Sequence, residues 1–251
     1  MGSTVSFDSN VWERIVDERK RSTEADVYTA MYDLIRAGKI IPHFFEGIAT
    51  MESIPRKGRK DFYGNFRAGF VVVVDGEVVS SEPGSGGPQI TDYLNENVPR
   101  AIDIGFRFMR LPRIGAPSLN IPEHWWASDS NYPAAERQRR SFECARFIES
   151  LGAGKGKLMK ATHTSPGGIV QKAKNDTLLT GKQLANGVGE WADGDALAAH
   201  YGYGVDYFCT NDTASGAGCS SVFAKQNLQQ LEAKYKVNVV SPEELVAILQ
   251  A

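Results

Sequence analysis

Val5-Ser6-Phe7-Asp8-Ser9-Asn10, near the start, and Tyr207-Phe208-Cys209-Thr210-Asn211-Asp212, near the end, decide the fold. Each is a short apolar run that stops on turn-forming residues, the pattern of a buried strand in a parallel sheet. Each run also ends in a carboxylate. In open α/β sheets the ligand crevice lies outside the carboxyl ends of the strands. Asp8 and Asp212 are therefore expected to meet there. Two carboxylates carried by separate strands point to a divalent metal site.

Between these runs the chain alternates helix and strand at both ends and changes texture in the middle. Val11 to Glu18 reads as helix or turn. Ser22 to Ala37 reads as a helix, with Ser22 as cap, Glu24 and Asp26 in the first turn, and Tyr28, Met31, Tyr32 and Ile35 as its apolar stripe. Lys39 to Phe45 reads as a strand, and Pro42 inside it argues for an edge or strand-end position. Glu46 to Ile54 looks helical. Ala68 to Val74 and Glu77 to Ser81, joined by Asp75-Gly76, predict a β-hairpin. Ala101 to Leu111 reads as a strand, Ala134 to Leu151 as a helix, and Gly152 to Lys160 as a basic loop.

Towards the end, Asp193 to Tyr201 predicts a small-residue helix and Val205 to Thr210 a strand. Ser220 to Tyr235 reads as a helix and Val237 to Val240 as a strand. Ser241-Pro242-Glu243-Glu244 predicts a capped final helix. The fold class expected is α/β: a parallel sheet flanked by helices, with a mixed, partly antiparallel insertion. The expected domains are a core of residues 1–55 and 132–251 and an insertion over 56–131 carrying the hairpin. The insertion is expected to shape substrate access or dimerisation.

Composition narrows the function. The 251 residues are 42% hydrophobic and 23% charged, ordinary for a globular chain of one large domain. No apolar run approaches the roughly 20 residues needed to span a bilayer, so no membrane role is expected. No secretory leader is expected either. Three widely spaced cysteines make neither a disulfide framework nor a zinc pattern, which suits a reducing cytoplasm. A net charge of −2 attracts no polyanion globally, so a nucleic acid would need local basic clusters.

Several further acids stand near the predicted crevice. Asp193 and Asp195 open the small-residue helix, and Glu46 and Glu52 lie on the helix after the second strand. Carboxylates converging on one or two hard cations can activate a water and stabilise an attacked phosphate. The blander reading of each acid is a helix cap, a turn residue or a surface charge. Three basic clusters, a tryptophan pair and four histidines also stand out. Arg56, Lys57, Arg59 and Lys60 could hold phosphates beside the acids. Arg137, Arg139 and Arg140 open a helix, and Lys155, Lys157 and Lys160 line a loop; either set could equally be a solvated face. Trp125-Trp126 could stack on bases or pack in an interior. The four histidines are scattered and read as structural, with His200 nearest the acids in sequence.

Four stretches in order resemble PIN-domain ribonucleases: Phe7-Asp8-Ser9-Asn10-Val11, the Asp-Ala-Leu-Ala-Ala-His run from Asp195, Tyr207 to Asp212, and Val239-Val240-Ser241-Pro242-Glu243-Glu244-Leu245. The resemblance covers about the first 55 and the last 60 to 110 residues. It implies an acidic Mg²⁺ or Mn²⁺ site that cleaves single-stranded RNA, as in toxin–antitoxin toxins, with an antitoxin protein or a second copy as partner. Asp8 matches the first acid and Asn10 its neighbouring asparagine. Thr210 and Asp212 match the threonine and final acid of the ending, with Asn211 between them. For the second acid Glu52 fits the register better, while Glu46 sits nearer the strand end. For the third, Asp193 stands nineteen residues before Asp212, while Asp195 matches the local motif. The alternatives to an endoribonuclease are a non-catalytic nucleic-acid or protein interaction module on the same scaffold, and a metal-dependent phosphatase.

Overall fold

The computed structural model describes residues 2–48, 70–74, 77–81, 91–111, 121–128, 131–162, 181–213 and 218–250. The first third contributes β1 (Ser3–Phe7), α1 (Ser9–Val16), α2 (Glu18–Thr23), α3 (Asp26–Arg36) and β2 (Ile40–Phe45). The central segment supplies β3 (Phe70–Val74), β4 (Glu77–Ser81), α4 (Asp92–Asp103) and β5 (Arg107–Met109). Then come α5 (Ala134–Ser150), α6 (Lys155–Thr162), α7 (Gly181–Tyr203), β6 (Tyr207–Cys209), α8 (Lys225–Tyr235), β7 (Val239–Val240) and α9 (Pro242–Gln250).

Five strands form one sheet in the order β5-β2-β1-β6-β7. All four pairings are parallel. β3 and β4 pair antiparallel as a separate two-stranded sheet, as the hairpin reading expects. The residues that were expected to form its turn lie outside the described ones. β5 belongs to the five-stranded sheet and α4 packs on it, so the core draws on residues within 56–131, which the sequence reading assigned to the insertion. Among the described residues no helix is long and apolar enough to cross a membrane.

The two faces of the sheet follow from strand alternation. One face presents Val5, Phe7, Phe44, Phe106, Phe108 and Cys209 to α1, α3, α4 and α9. Its centre is an aromatic group in which Phe44 meets Phe108 at 4.2 Å and Phe106 at 5.3 Å between ring centroids. Fully burying each such ring is worth about 1.5–3 kcal/mol. The other face presents Phe45, Met109 and Phe208 to α5, α7 and α8.

Several elements differ from the sequence reading, each for a physical reason. Pro42 sits in β2, an inner strand between β1 and β5. It is tolerated because the ladder to β5 starts only at His43, so no bond is lost at Pro42 on that side. Ser22 does not cap α3; it lies in the last turn of α2, where its hydroxyl donates to Arg19 O, and α3 begins at Asp26. Ala101 to Asp103 close α4, capped by Thr91 through Leu94 N, and only Arg107–Met109 form the strand. The basic loop is instead helix α6 from Lys155 to Thr162. Of the Glu46–Ile54 helix, the described part is a 3-10 turn over Glu46–Ile48.

The small-residue helix is much longer than expected. α7 starts at Gly181, so Asp193 and Asp195 lie mid-helix and open nothing. Its glycines are sites of close approach: a Cβ on Gly194 would stand 2.9 Å from Gly154 Cα, and one on Gly187 would stand 2.6 Å from Leu158 Cδ1. α9 carries the predicted cap. Glu244 N donates to Ser241 Oγ at 3.2 Å, and Ser241 N donates to Glu244 Oε2 at 2.8 Å.

Candidate active site at the switch point

The sheet order reverses between β1 and β6. Crossovers from β1 to β2 and from β2 to β5 use helices on one face. Those from β5 to β6 and from β6 to β7 use helices on the other. The chain therefore diverges beyond the carboxyl ends of β1 and β6 and leaves a crevice there, the usual ligand position in such sheets. Asp8 and the Thr210-Asn211-Asp212 stretch directly follow those two strands.

Asp8 is buried and accepts from several donors. Its Oδ1 takes Ser9 N at 2.7 Å, which makes Asp8 the cap of α1 as well. Its Oδ2 takes Thr210 Oγ1 at 2.6 Å and Asn10 Nδ2 at 2.8 Å. These donors favour the charged carboxylate, but burial and then the nearby Asp212 charge oppose it. Burial dominates and holds the Asp8 carboxyl above its ordinary value. Asp8 thus caps α1 through Oδ1 and is tied to Thr210 and Asn10 through Oδ2.

Thr210 ties the two strand ends together. Its hydroxyl donates to Asp8 and accepts from Asp212 N at 2.9 Å. Asn10 and Asn211 clasp across the crevice: Asn211 N donates to Asn10 Oδ1, and Asn211 Nδ2 donates to Asn10 O, both at 3.0 Å. Asp212 itself is exposed. Asp8, Asn10, Thr210, Asn211 and Asp212 are therefore brought together as the sequence reading expects.

One member of this group was read only for its ring. Tyr28 belongs to the apolar stripe of α3, yet its hydroxyl accepts from Asn211 Nδ2 at 3.1 Å and from Arg14 Nη1 at 3.1 Å. Arg14 is held in turn by Glu24 at 2.8 Å. A buried tyrosine usually finds a partner for its hydroxyl, which was the one available signal.

The other acids are placed differently. Glu46 follows β2, but its Oε1 accepts Leu111 N at 2.7 Å, towards β5. Burial holds its carboxyl above the ordinary value, with Arg110 opposing. Asp195 is buried within α7, and its Oδ2 accepts from Trp191 Nε1 at 2.9 Å. Asp193 is half-buried on the same helix. Glu52 and the cluster Arg56, Lys57, Arg59 and Lys60 lie outside the described residues. Among the described residues no three acidic, histidine or cysteine side chains are grouped to hold a metal ion.

Arg137, Arg139, Arg140, Lys155 and Lys157 are engaged by rings or carboxylates. The Arg140 guanidinium lies 4.0 Å from the centroids of both Tyr132 and Tyr201. Arg137 lies over Tyr203, and Arg139 pairs with Glu136 and Glu143. Lys155 lies over Trp191, and Lys157 reaches Glu190 at 3.6 Å. His200 is buried and shares a 2.6 Å hydrogen bond with Ser6 Oγ. Burial pushes the Cys144 and Cys209 thiols up, so neither is poised as a nucleophile. A polar cavity of about 440 Å³, lined by Arg140, Asp206, Lys236 and Asn238 among others, opens by the amino ends of β1 and β6, away from the acids.

No protein-family model, curated protein or solved structure matches the chain.

Proposed function

We propose that the protein is a metal-dependent nuclease of PIN-like type, an endoribonuclease that cuts single-stranded RNA. The observation that carries the reading is the convergence of Asp8 and Asp212 at the switch point, joined through Thr210. The donor set suits a hard cation. A carboxylate has about four lone-pair sites. Thr210 and Asn10 occupy Oδ2 of Asp8, Ser9 takes part of Oδ1, and the Asp212 carboxylate is exposed. A cation would also relieve the repulsion between the two acids.

Asp8 and Asp212 would hold Mg²⁺ or Mn²⁺, which when bound supplies a water of lowered pKa and neutralises charge on the attacked phosphate. The chain's own residues supply orientation. Thr210 and Asn10 fix the Asp8 carboxylate. The Asn10–Asn211 clasp fixes the two loops against each other, and Tyr28 with Arg14 buttresses Asn211. A reducing cytoplasm as its place of work belongs to the same proposal, as does an antitoxin-like partner.

The test is cleavage of a labelled single-stranded RNA with Mn²⁺ present. Asp8→Asn and Asp212→Asn should each lose at least a hundredfold in rate while keeping the wild-type circular dichroism. Full activity in both folded variants would end the proposal. A second reading, a non-catalytic interaction module, is favoured by the placement of Glu46 and Asp195. Their carboxylates are engaged by Leu111 N and Trp191 and are not converged on Asp8. It predicts RNA or protein binding with no metal-dependent turnover.

A further inference from the structure

We infer that Arg110 and Trp126 form a stacking subsite for an unpaired base of single-stranded RNA, beside the acid site. The inference rests on the nuclease reading above and names a substrate contact for it. Continuing the strand register, Asp8 stands level with Phe45 and Met109, and Arg110 is one residue further on. β5 lies two strands from β1, about 10 Å at the usual strand spacing. Arg110 thus emerges at the same carboxyl edge as Asp8, within reach of a short length of one strand.

Two features separate this pair from ordinary packing. Arg110 is exposed, and its guanidinium lies 5.3 Å from the centre of the half-buried Trp126 ring. Arg140, by contrast, is enclosed at 4.0 Å by two tyrosines. The platform is also held rigidly from behind. Arg110 N donates to Tyr203 Oη at 3.0 Å, and the next amide, Leu111 N, donates to Glu46. Trp126 bridges to Phe108, Ala127 N donates to Phe108 O at 2.9 Å, and the Trp126 and Phe108 rings meet at 5.8 Å.

The chemistry then selects the ligand. Aromatic rings and arginine planes are the surfaces on which unpaired bases stack, with little regard to which base is offered. The chain is net negative, so a polyanion needs a local cation at the edge it approaches. Arg137, Arg139 and Arg140 are engaged with rings or carboxylates elsewhere. Arg110 brings an exposed charge and a flat face to the edge where the phosphodiester would be cut.

The experiment uses the full chain carrying Asp8→Asn, so that RNA is bound and not consumed. Affinity for a fluorescein-labelled single-stranded RNA, and for a base-free ribose-phosphate strand of the same length, is read by anisotropy. Wild-type cleavage is measured in parallel. Adding Arg110→Ala or Trp126→Leu should weaken RNA binding roughly tenfold, the usual scale of one lost stacking contact. Trp126→Leu should leave the base-free strand unaffected, and Arg110→Lys should recover only part of the loss. The stacking subsite is overturned, with the nuclease reading intact, if the wild type cuts RNA and both variants bind as tightly as the parent. Full recovery by Arg110→Lys overturns it too, because charge alone would then suffice. If Trp126→Leu loses its circular dichroism, the two Arg110 variants decide. If the wild type neither cuts nor binds RNA, the nuclease reading fails and this inference fails with it.

Discussion

Lowering the pH from 7 to 5 should weaken the fold through one residue, His200. Its ring is buried against Phe208 and shares a hydrogen bond with Ser6. Burial is the main cause that pushes its pKa down to about 3; Asp206 opposes and His43 adds to the fall. In the unfolded chain a histidine titrates near 6.5. Between these two values the unfolded state binds a proton that the native state refuses. Stability attributable to His200 is therefore full above about pH 6.5 and declines as the pH falls towards 3. Each pH unit below 6.5 removes about 1.4 kcal/mol, so pH 5 removes about 2 kcal/mol relative to neutrality. The assay is urea unfolding at pH 7 and pH 5 for the wild type and for His200→Gln, which keeps a polar partner for Ser6 but cannot titrate. Acids elsewhere act alike in both proteins and drop out of the comparison. The wild type should lose about 2 kcal/mol more than the variant over this interval. Parallel losses, within about 0.5 kcal/mol, would show that His200 accepts its proton in the folded state and refute the argument.

Three further outcomes follow from individual contacts. Thr210→Val removes the hydroxyl shared by Asp8 and Asp212 N; RNA cleavage should fall at least tenfold and stability by about 1–2 kcal/mol in a urea titration, and unchanged cleavage would show that Thr210 orients nothing. Gly194→Val places a Cβ 2.9 Å from Gly154 Cα, a backbone clash that should lower stability by about 1–3 kcal/mol; an unaltered thermal melt would contradict the close α6–α7 contact. Asp206→Ala deletes the acceptor of Thr4 N and Thr4 Oγ1, at 2.9 and 2.8 Å, so the Thr4 amide should exchange faster with deuterium, and equal exchange would refute the tether.

What the sequence made legible was whatever is local. Asp8 and Asp212 could be placed because a strand end is marked by the few residues around it. Ser241 and Glu244 could be read as a capping box for the same reason. The elements that escaped have causes distant in the chain. α7 looks like a short helix because Gly187 and Gly194 weaken its periodicity, yet they are there to admit Leu158 and Gly154. α6 looks like a loop because Gly152 and Gly154, both with positive φ, precede it. α4 carries Pro99 inside it and was hidden by that breaker. Pro42 misled in the opposite sense, since only the late start of the β5 ladder makes room for it. At the site, Tyr28 was assigned to packing because a helical stripe reports which way a ring faces and says nothing of where its hydroxyl ends.

The contacts that build the acid crevice share one property. Thr210 to Asp8, Asn211 to Asn10 and Asn211 to Tyr28 each join the start of the chain to a segment near residue 210. None of them is made by residues of the central segment. That segment reaches the crevice edge through Arg110, which lies beside Trp126, and Leu111, whose amide donates to Glu46. Orientation of Asp8 is thus set by the two chain ends, through side chains that close across adjacent strands. The character of the edge next to them, flat, aromatic and cationic, is set by the middle. Changes in the middle should alter what is bound at that edge while leaving the Asp8–Thr210–Asp212 geometry in place. Changes at Asn10, Thr210 or Asn211 should disturb the acids whatever strand lies across them.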